Sequence, residues 1–397
     1  MDIVVQPAVN WVDMNEKIKD SGLFLPLDPS PTVSQHLFHS LHNMRHGLYE
    51  LQVVDGLFLS RYPSLIIHSG TNAMRYGTMK DWVINLTEKT KASIFELSFM
   101  SKTSAGYNLT SLFVGAEGTL GLITEITLKL AVIPESTSVA VVTFPSIANA
   151  ALAATKILRT GVPLAAMEIM DEVQMQVINK NGGTSGRMWE ERPTLFFKFS
   201  GTEQAIQDHI QIVQGIAKQW KGGAFQFART EHEKTVLWSA RKEALWAMLA
   251  QRPPGTEIWS TDCAVPISRL AEIIGTLYTG RKCDADWRID ISKKESSKLG
   301  LFSSVLGHVG DGNFHQAVMY NPKDAVETAA VKKCVYDMLD RALEMEGTSS
   351  GEHGIGLGKK ECLVKELGLD TITVMKKMKH SLDPYWLMNP GKIFDAP

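Results

Sequence analysis

The chain has 397 residues, of which 44% are hydrophobic and 21% charged, so it is long enough for two or three globular domains with buried cores. Its net charge of −2 argues against a surface built for nucleic acid or an anionic membrane. Four cysteines without a C-x-x-C pair exclude a disulfide framework. No apolar run reaches the ~18 residues that a membrane span needs. We expect no signal peptide, because a strand-like segment begins directly after Met1.

The first third of the sequence predicts only a few local elements. Residues Ile3–Val9 predict a strand, Val12–Ser21 a short amphipathic helix that stops at Gly22, and Ile123–Ala131 a further strand. Residues 33–68 follow neither the strand period nor the helix period, and the pattern predicts no element there.

From about residue 135 strand-like and helix-like segments alternate. The predicted strands, including one hairpin, are Ser138–Phe144, Ala165–Met170, Thr194–Ser200, Phe225–Ala228, Glu257–Val265, Ser303–Val309 and Phe314–Tyr320. The predicted helices are Ala148–Thr160, Glu172–Asn179, Glu203–Trp220, Glu231–Gln251, one beginning over Ser268–Ile274, Ala325–Gly347, Lys359–Leu367 and Thr371–Leu382. This alternation predicts an α+β fold with helices on one face of an antiparallel sheet.

The hairpin carries a pair of histidines. If Gly310–Asn313 form its loop, Val309 pairs with Phe314 and His308 pairs with His315 across the ladder. Cross-strand partners hold their Cβ atoms only ~5 Å apart, so the two imidazoles could share one divalent cation. The alternative is a pair of partly exposed strand histidines without a ligand.

A second segment, Gly351–Gly356, places Glu352 and His353 side by side among glycines, where backbone can approach a ligand closely. Two histidines and one carboxylate form a metal site that leaves positions open for substrate, and the remaining histidine could act as a base. The alternative for this segment is a solvated turn.

Two further features bear on binding. Arg241 follows Trp238 and other apolar residues on a predicted helix, and a partly buried guanidinium suits a carboxylate; a surface helix cation is the alternative. The segment Val114–Gly121 concentrates glycines before a strand and permits close approach to a phosphate or a ring system, which by itself is a weak signal.

Together and in this order, Gly307–His315, Gly351–Gly356 and Asn389–Phe394 resemble the flavin-linked D-2-hydroxy-acid dehydrogenases of the vanillyl-alcohol-oxidase (PCMH-type) superfamily. The resembling segments are Asp2–Thr32, Ser69–Thr87, Lys102–Ile274 and Asp290–Phe394. The resemblance implies a partial PCMH-type FAD-binding domain over residues 1–130, without its N-terminal half. It further implies a ferredoxin-like substrate-binding cap over residues 131–397, whose C-terminal end returns to the flavin site.

The resemblance also implies roles for single residues. His308, His315 and Glu352 match the metal ligands, which suit Zn²⁺ and also Mn²⁺ or Fe²⁺. His353 matches the catalytic base, and Arg241 matches the catalytic clamp for the substrate carboxylate. Asn313 is expected to touch substrate. The residues that match flavin-contacting stretches are Thr71, Gly115, Glu117, Gly118, Gly121 and Asn389.

The implied reaction is metal-assisted oxidation of D-lactate to pyruvate by hydride transfer to FAD, with cytochrome c receiving the electrons in the mitochondrion. Relatives that act on D-2-hydroxyglutarate carry a lysine two residues before the aspartate that corresponds to Asp262, and this chain has Ser260 there. A buried second carboxylate without a cation is costly, so a monocarboxylic acid is expected. The alternatives are a D-2-hydroxyglutarate or glycolate dehydrogenase, and a catalytically impaired fragment that binds a metal or a partner.

The sequence departs from this family in several stretches. We expect the chain to begin within the FAD-binding domain, after the glycine-rich loop for the FAD diphosphate. Residues 33–68, 88–101 and 275–289 do not resemble the family. The third stretch interrupts a helix that would continue from Ile274 to Asp290, and we interpret it as a translated intron or a misplaced reading frame, an interpretation that is open for the other two stretches as well. Transcript sequencing that finds all three in the mature message would contradict this interpretation. If they are part of the protein, FAD binding is expected to be weakened. The first stretch also contains a cluster of histidines that is a candidate metal site: His36, His39, His42 and His46.

Overall fold

The computed structural model describes residues 1–7, 9–28, 70–89, 94–96, 106–274 and 301–396. The expectations for residues 33–68 and 275–289, including the histidine cluster, lie outside the described residues, as do most of residues 88–101. The chain divides into two compact units, here called the split unit (Met1–Ile133 with Glu352–Pro397) and the central unit (Pro134–Gly351). In the ranges that the structure covers, no helix combines the length and the apolar character that a membrane crossing requires.

The split unit contains a four-stranded antiparallel sheet in the order β1-β5-β3-β4, with a two-stranded ribbon formed by β2 and β6. The strands are β1 (Asp2–Val5), β2 (Leu23–Phe24), β3 (Val83–Lys89), β4 (Ile94–Glu96), β5 (Leu122–Lys129) and β6 (Ala131–Val132). The helices are α1 (Trp11–Ile18), α2 (Ala73–Tyr76), α3 (Met79–Trp82), α4 (Leu109–Phe113) and a long C-terminal helix (Lys360–Leu382).

The N-terminal elements show how the sequence sets local boundaries. The predicted strand from Ile3 stops at Val5, because Pro7 lacks the N–H that a ladder needs. Asn10 caps α1 by accepting the N–H groups of Val12 and Asp13. Gly22 ends the following 3₁₀ turn with a φ of 74°, as its position in the sequence predicts.

The central unit is built on an eight-stranded sheet in the order β10-β7-β9-β8-β13-β14-β11, with β12 paired to β14, and its described ladders are antiparallel. Its strands are β7 (Ser136–Thr143), β8 (Ala166–Met170), β9 (Thr194–Gly201), β10 (Gln226–Phe227), β11 (Glu257–Ser260), β12 (Cys263–Ala264), β13 (Ser303–Gly307) and β14 (Asn313–Tyr320). Its helices are α5 (Ile147–Leu158), α6 (Glu172–Lys180), α7 (Glu203–Gln219), α8 (Glu231–Lys242), α9 (Ala244–Ala250), α10 (Ile267–Ile274) and α11 (Ala325–Glu344). The C-terminal helix of the split unit is therefore α12.

The core of the central unit explains its stability. Strand β8 is buried along its whole length, and its Ala166 and Met170 side chains pack in one cluster with Phe196 of β9, Leu306 of β13 and Ala240 of α8. Burial of large apolar side chains on this scale contributes ~1.5–3 kcal/mol for each residue. The predicted mixture of helices with an antiparallel sheet is confirmed.

Two predicted elements are interrupted in the structure, and one predicted break is confirmed. The helix predicted over Glu231–Gln251 is divided at Glu243, where buried Gln174 donates to the carbonyl of Ala244 at 2.9 Å. The strand predicted over Glu257–Val265 is interrupted, because Thr261 and Asp262 turn their polar groups to other partners. The break between the last two predicted helices is real: Gly368 interrupts α12 with a φ of 77°.

Candidate active site

The histidine hairpin has a different register from the predicted one. His315 pairs with Leu306 rather than with His308, and β13 ends at Gly307. The loop closes through the N–H of Asn313, which donates to the carbonyl of His308 at 3.3 Å. Gly312 adopts a φ of 85° and lies so close to Val265 that a Cβ would be 2.3 Å from its carbonyl oxygen. The predicted register is wrong by two residues because the turn needs a longer loop against the neighbouring segment.

The two imidazoles nevertheless meet. Side chains alternate between the faces of a strand with a period of two, so a shift of two residues leaves His308 and His315 on the same face. Their ring centroids are 5.6 Å apart at 90°, and a nitrogen of each ring lies within 4.8 Å of the other. Both residues are 6% exposed. The juxtaposition that the sequence predicted is therefore present in the central unit.

Glu168 in the middle of β8 connects His308 to Arg241. One carboxylate oxygen, Oε1, lies 2.9 Å from Nδ1 of His308, and the other, Oε2, accepts from Nε of Arg241 at 2.8 Å. The side chains of Arg241 and Glu168 are 5% and 1% exposed, so this is a buried ion pair. Nη2 of Arg241 lies 3.5 Å from Nε2 of His308. Arg241 is therefore buried beside the histidine pair, and the surface-cation alternative is wrong.

These contacts assign the tautomers of both rings. Nδ1 of His315 lies 3.0 Å from the carbonyl oxygen of Thr261, which can only accept, so this nitrogen carries the proton. Nδ1 of His308 faces the Glu168 carboxylate and carries its proton for the same reason. Nε2 is then the lone-pair nitrogen of both rings. A neutral imidazole oriented by a hydrogen bond from its other nitrogen is the usual form of a histidine that binds a metal.

Asp262 organises the other side of the pair. Its Oδ1 lies 3.8 Å from Nδ1 of His315 and accepts from Nδ2 of Asn313 at 2.8 Å. Its Oδ2 accepts from the hydroxyl of Ser350 at 2.9 Å. Gly351 is required here, since a Cβ would lie 2.0 Å from Nδ2 of Asn313. The carboxylate thus fixes the position of Asn313.

Asn313 presents a buried acceptor. Its Nδ2 donates to Asp262 and, at 3.1 Å, to the carbonyl of Cys263, which assigns the opposite atom as oxygen. Within the part of the chain that the structure describes, this Oδ1 atom is buried and has no hydrogen-bond partner. A buried acceptor of this kind costs ~1–3 kcal/mol unless a donor reaches it. A ligand hydroxyl or water would satisfy it.

Ser260 lies at the end of β11, opposite Ala317 of β14. Since Ala317 is two residues beyond His315, Ser260 is on the same face of the sheet as this histidine. Ser260 is half-buried, and its hydroxyl lies 3.5 Å from the carbonyl of Thr261. The position is suited to affect what binds near His315.

Glu352 and His353 begin the second segment of the split unit. Both are half-buried, and Oε1 of Glu352 lies 3.7 Å from Nε2 of His353. The segment that follows them is held by Glu117, whose two carboxylate oxygens accept the N–H groups of Ile355 at 2.7 Å and Gly356 at 2.8 Å. The carboxylate of Glu117 is therefore used to position this segment.

The environment of Glu117 changes its acidity. Burial raises the pKa of Glu117, and the hydrogen bonds from Ile355 and Gly356 offset part of that rise. The residue has a φ of 50°, between Gly115 at 87° and Gly118 at 71°, so the chain follows a sharply curved path here. Glycines at two of these positions leave room for a flat ring system to approach the backbone.

The remaining residues expected to contact flavin lie in the same unit. Asn389 donates through Nδ2 to the carbonyl of Glu117, and Thr71 is buried, with its hydroxyl donating to Asp28 at 2.9 Å. Gly121 is buried immediately before β5. The glycine loop and the C-terminal segment are thus joined by direct hydrogen bonds.

Sequence reasoning assigned no role to two residues that the structure brings to the histidine pair, Glu168 and Asp262. A signal for Glu168 was present, because it is the single charged residue of the otherwise apolar strand Ala166–Met170. A lone carboxylate in a fully buried strand requires a partner. The identity of that partner depends on packing and could not be read from the sequence.

A family model and individual relatives both match this chain. Residues 133–393 match the family described as FAD linked oxidases, C-terminal domain. The chain is 39% identical over 406 residues to the mitochondrial D-lactate dehydrogenase [cytochrome] of Kluyveromyces lactis, covering 99% of this chain and 62% of the relative. It is 40% identical over 395 residues to the protein of that name from Arabidopsis thaliana, with the same shares of 99% and 62%. The chain therefore spans about 62% of the length of these relatives.

The fold is shared with solved structures of much lower sequence identity. One is p-cresol methylhydroxylase with substrate bound, at a TM-score of 0.64 and 14% identity, covering 99% of this chain and 76% of that chain. Identity this low supports the fold alone. The expected PCMH-type architecture is confirmed by this likeness.

Proposed function

The chain belongs to the family of FAD-linked oxidases, and from this premise we propose that it oxidises D-lactate to pyruvate, with FAD as the acceptor of the hydride. The names of the relatives support the substrate and the reaction. The observation that carries the proposal is the buried pair of His308 and His315, with Arg241 beside it. A lone-pair nitrogen on each ring and a guanidinium suit the hydroxyl and the carboxylate of a 2-hydroxy acid.

We propose that one region of the chain binds FAD and that another binds the substrate. Residues 1–130 are proposed to be part of the FAD-binding domain, and residues 131–397 the substrate-binding cap with a C-terminal return to the flavin. The curved glycine loop at Gly115–Gly118, to which Asn389 is hydrogen-bonded, fits a flavin. Thr71, Gly115, Glu117, Gly118, Gly121 and Asn389 would hold it. FAD, when bound, supplies the acceptor for the hydride that leaves Cα of the substrate.

The two histidines of the central unit also suit a divalent cation. His308 and His315 carry their protons on Nδ1 and offer Nε2, and we propose Glu352 as the third ligand. Two imidazoles and one carboxylate suit Zn²⁺, and also Mn²⁺ or Fe²⁺. Such a cation, when bound, supplies a Lewis acid that lowers the pKa of the substrate hydroxyl.

The chain's own residues then bind and deprotonate the substrate. Arg241 binds the carboxylate, since its Nε is held by Glu168 and its Nη2 lies 3.5 Å from Nε2 of His308. Asn313, which Asp262 holds beside His315, is proposed to contact the substrate. His353 takes the hydroxyl proton, a step for which a well-placed base contributes ~10²–10⁴ in rate. Loss of this proton and of the hydride from Cα converts the alcohol carbon to the carbonyl of the 2-oxo acid.

A small monocarboxylic substrate is favoured by Ser260. This residue shares a face of the sheet with His315 and offers no positive charge to a second carboxylate. The names of the relatives also support cytochrome c as the electron acceptor and the mitochondrion as the location. Both are proposals for this chain.

The proposal is tested on the purified chain supplied with FAD and zinc. We expect pyruvate from D-lactate at a higher kcat/KM than product from glycolate or D-2-hydroxyglutarate, and one metal per chain. His315→Ala is expected to lose the metal, whereas His232→Ala, at an exposed position of α8, retains it. Better turnover of another acid would overturn the proposed substrate. A bound metal without any flavin reduction would favour the impaired-fragment alternative.

A further inference from the structure

Glu168 is a charged residue in a position where charge is costly. It lies in the middle of β8, between β9 and β13, and is 1% exposed. Burial of an unpaired carboxylate in such surroundings is strongly unfavourable. A charge in this position contributes either to the stability of the fold or, through its contacts, to the site beside it.

Its two oxygens serve two different elements. Oε2 accepts from Nε of Arg241 on α8, and Oε1 accepts from Nδ1 of His308 in the hairpin loop. One rigid carboxylate therefore sets the distance between a guanidinium and an imidazole that are 67 residues apart in the sequence. In this arrangement Nη2 of Arg241 is 3.5 Å from Nε2 of His308.

We propose that Glu168 is a positioning residue that holds the carboxylate-binding Arg241 and the metal-binding His308 at a fixed separation, and so selects acids whose hydroxyl is on the carbon next to the carboxylate. This inference rests on the proposed function. A 3-hydroxy acid has one more carbon between the two groups, and it would need a wider spacing of Arg241 and His308 than the bridge permits.

The negative charge of Glu168 also affects cation binding at the same site. Arg241 is buried and positive, and a cation bound through His308 would also be positive. Like charges at short range in a desolvated site repel strongly. The negative charge of Glu168, 2.8 Å from Nε of Arg241, offsets this repulsion. Removal of the charge is therefore expected to weaken metal binding as well as the orientation of both partners.

The test compares Glu168→Gln with the wild-type chain. Glutamine has the size of glutamate, but its amide NH₂ would face either Arg241 or His308, which are both donors at this point. Zinc affinity is measured by competition with a chromophoric chelator, which needs no flavin and no turnover. We expect a loss of ~10–100-fold, the usual effect of removing a partner that orients a metal-binding histidine. Glu203→Gln, an exposed carboxylate at the start of α7, is the matched control and should change nothing.

Steady-state kinetics provide a second measurement, which would not change if Glu168 had a purely structural role. In Glu168→Gln the KM for D-lactate should rise by more than kcat falls, and the preference for D-lactate over D-3-hydroxybutyrate should narrow. Glu168→Asp keeps the charge but is one methylene shorter, so it can reach only one partner and should be intermediate. It also supplies the comparison if the glutamine variant does not fold.

The outcomes separate this inference from the proposed function. Zinc affinity and substrate preference within twofold of wild type in a folded Glu168 variant would overturn the positioning role, even if wild type oxidises D-lactate. A wild-type chain that binds no zinc would overturn the proposed metal site and this inference with it. Weaker zinc binding in the variant supports the inference whether or not the chain retains flavin.

Discussion

Glu117 accepts the backbone N–H of Ile355 at 2.7 Å with one carboxylate oxygen, while the other oxygen accepts the N–H of Gly356 at 2.8 Å. The two partners are more than 200 residues from Glu117 in the sequence, and they directly follow the segment that carries Glu352 and His353. A buried carboxylate on the glycine loop thus fixes the backbone next to the proposed base.

Glu117→Gln tests this connection. The amide retains one acceptor for two N–H donors and places an NH₂ against the other, so one buried donor loses its partner. We expect unfolding in urea to show a loss of about 1–3 kcal/mol, with kcat for D-lactate reduced because His353 is less well held. Glu203→Gln serves as the exposed control. A stability unchanged from wild type would mean that the segment does not depend on this carboxylate.

Alanine substitutions at two neighbouring glycines distinguish the effect of a steric clash from the effect of backbone strain. Gly354 has a φ of 80°, and a Cβ there would lie 2.8 Å from Oε1 of Glu117. Gly356 has a φ of 54°, and a Cβ there would meet nothing within 4 Å. We expect Gly356→Ala to cost about 1 kcal/mol of unfolding free energy from strain alone. Gly354→Ala should cost more, since the carboxylate it meets is held by two hydrogen bonds.

The same pair supplies its own control. In a Glu117→Ala background the steric part of the Gly354→Ala effect should disappear, so the two glycine variants should become nearly equal in stability. A difference that persists in that background would show that the contact with Glu117 is not its cause.

Asp383 predicts a pH dependence of stability. Burial alone would raise the pKa of Asp383, but the hydrogen bonds from Lys379 and from the N–H groups of Met388 and Leu387 outweigh it and lower the pKa. A carboxyl whose pKa is lower in the folded chain stabilises the fold above its ordinary pKa, and this contribution is lost as the pH falls through the folded pKa.

We therefore expect Asp383→Asn to reduce the unfolding free energy at pH 7 by about 3 kcal/mol, because the buried charge of Lys379 loses its partner. The gap between wild type and variant should narrow as the pH falls below about 4. Denaturant unfolding at several pH values measures this difference in unfolding free energy. Asp370→Asn, an exposed position on α12, should show no such gap, and a gap that is constant with pH would refute this account.

Ser260→Lys tests the choice of substrate. A lysine there would extend from the face of the sheet that carries His315 and could pair with a second carboxylate. We expect the ratio of kcat/KM for D-2-hydroxyglutarate to that for D-lactate to rise at least tenfold, equivalent to about 1.4 kcal/mol. Steady-state kinetics on both acids decide it. Ser260→Gln, which adds length without charge, should not raise the ratio.

The sequence by itself determined what depends on neighbours along the chain. The predicted hairpin placed His308, which directly follows β13, on the same face as His315 of β14, and this prediction survived an incorrect register because a shift of two residues preserves the face. Asn10, Gly22 and Gly368 ended or began helices where capping and positive φ require such residues. The family resemblance was likewise readable from short segments in order.

The tertiary structure alone decided which distant residues meet. Glu168 contacts Arg241 and His308 because β8 lies next to β13 in the sheet and α8 packs on the same core, and neither neighbour is encoded near Glu168 in the chain. The length of the hairpin loop was set by the approach of Gly312 to Val265, again a contact outside the hairpin. Local rules fix the face and the boundary of an element. The partner of a buried charge follows only from the order of strands and the packing of helices on them.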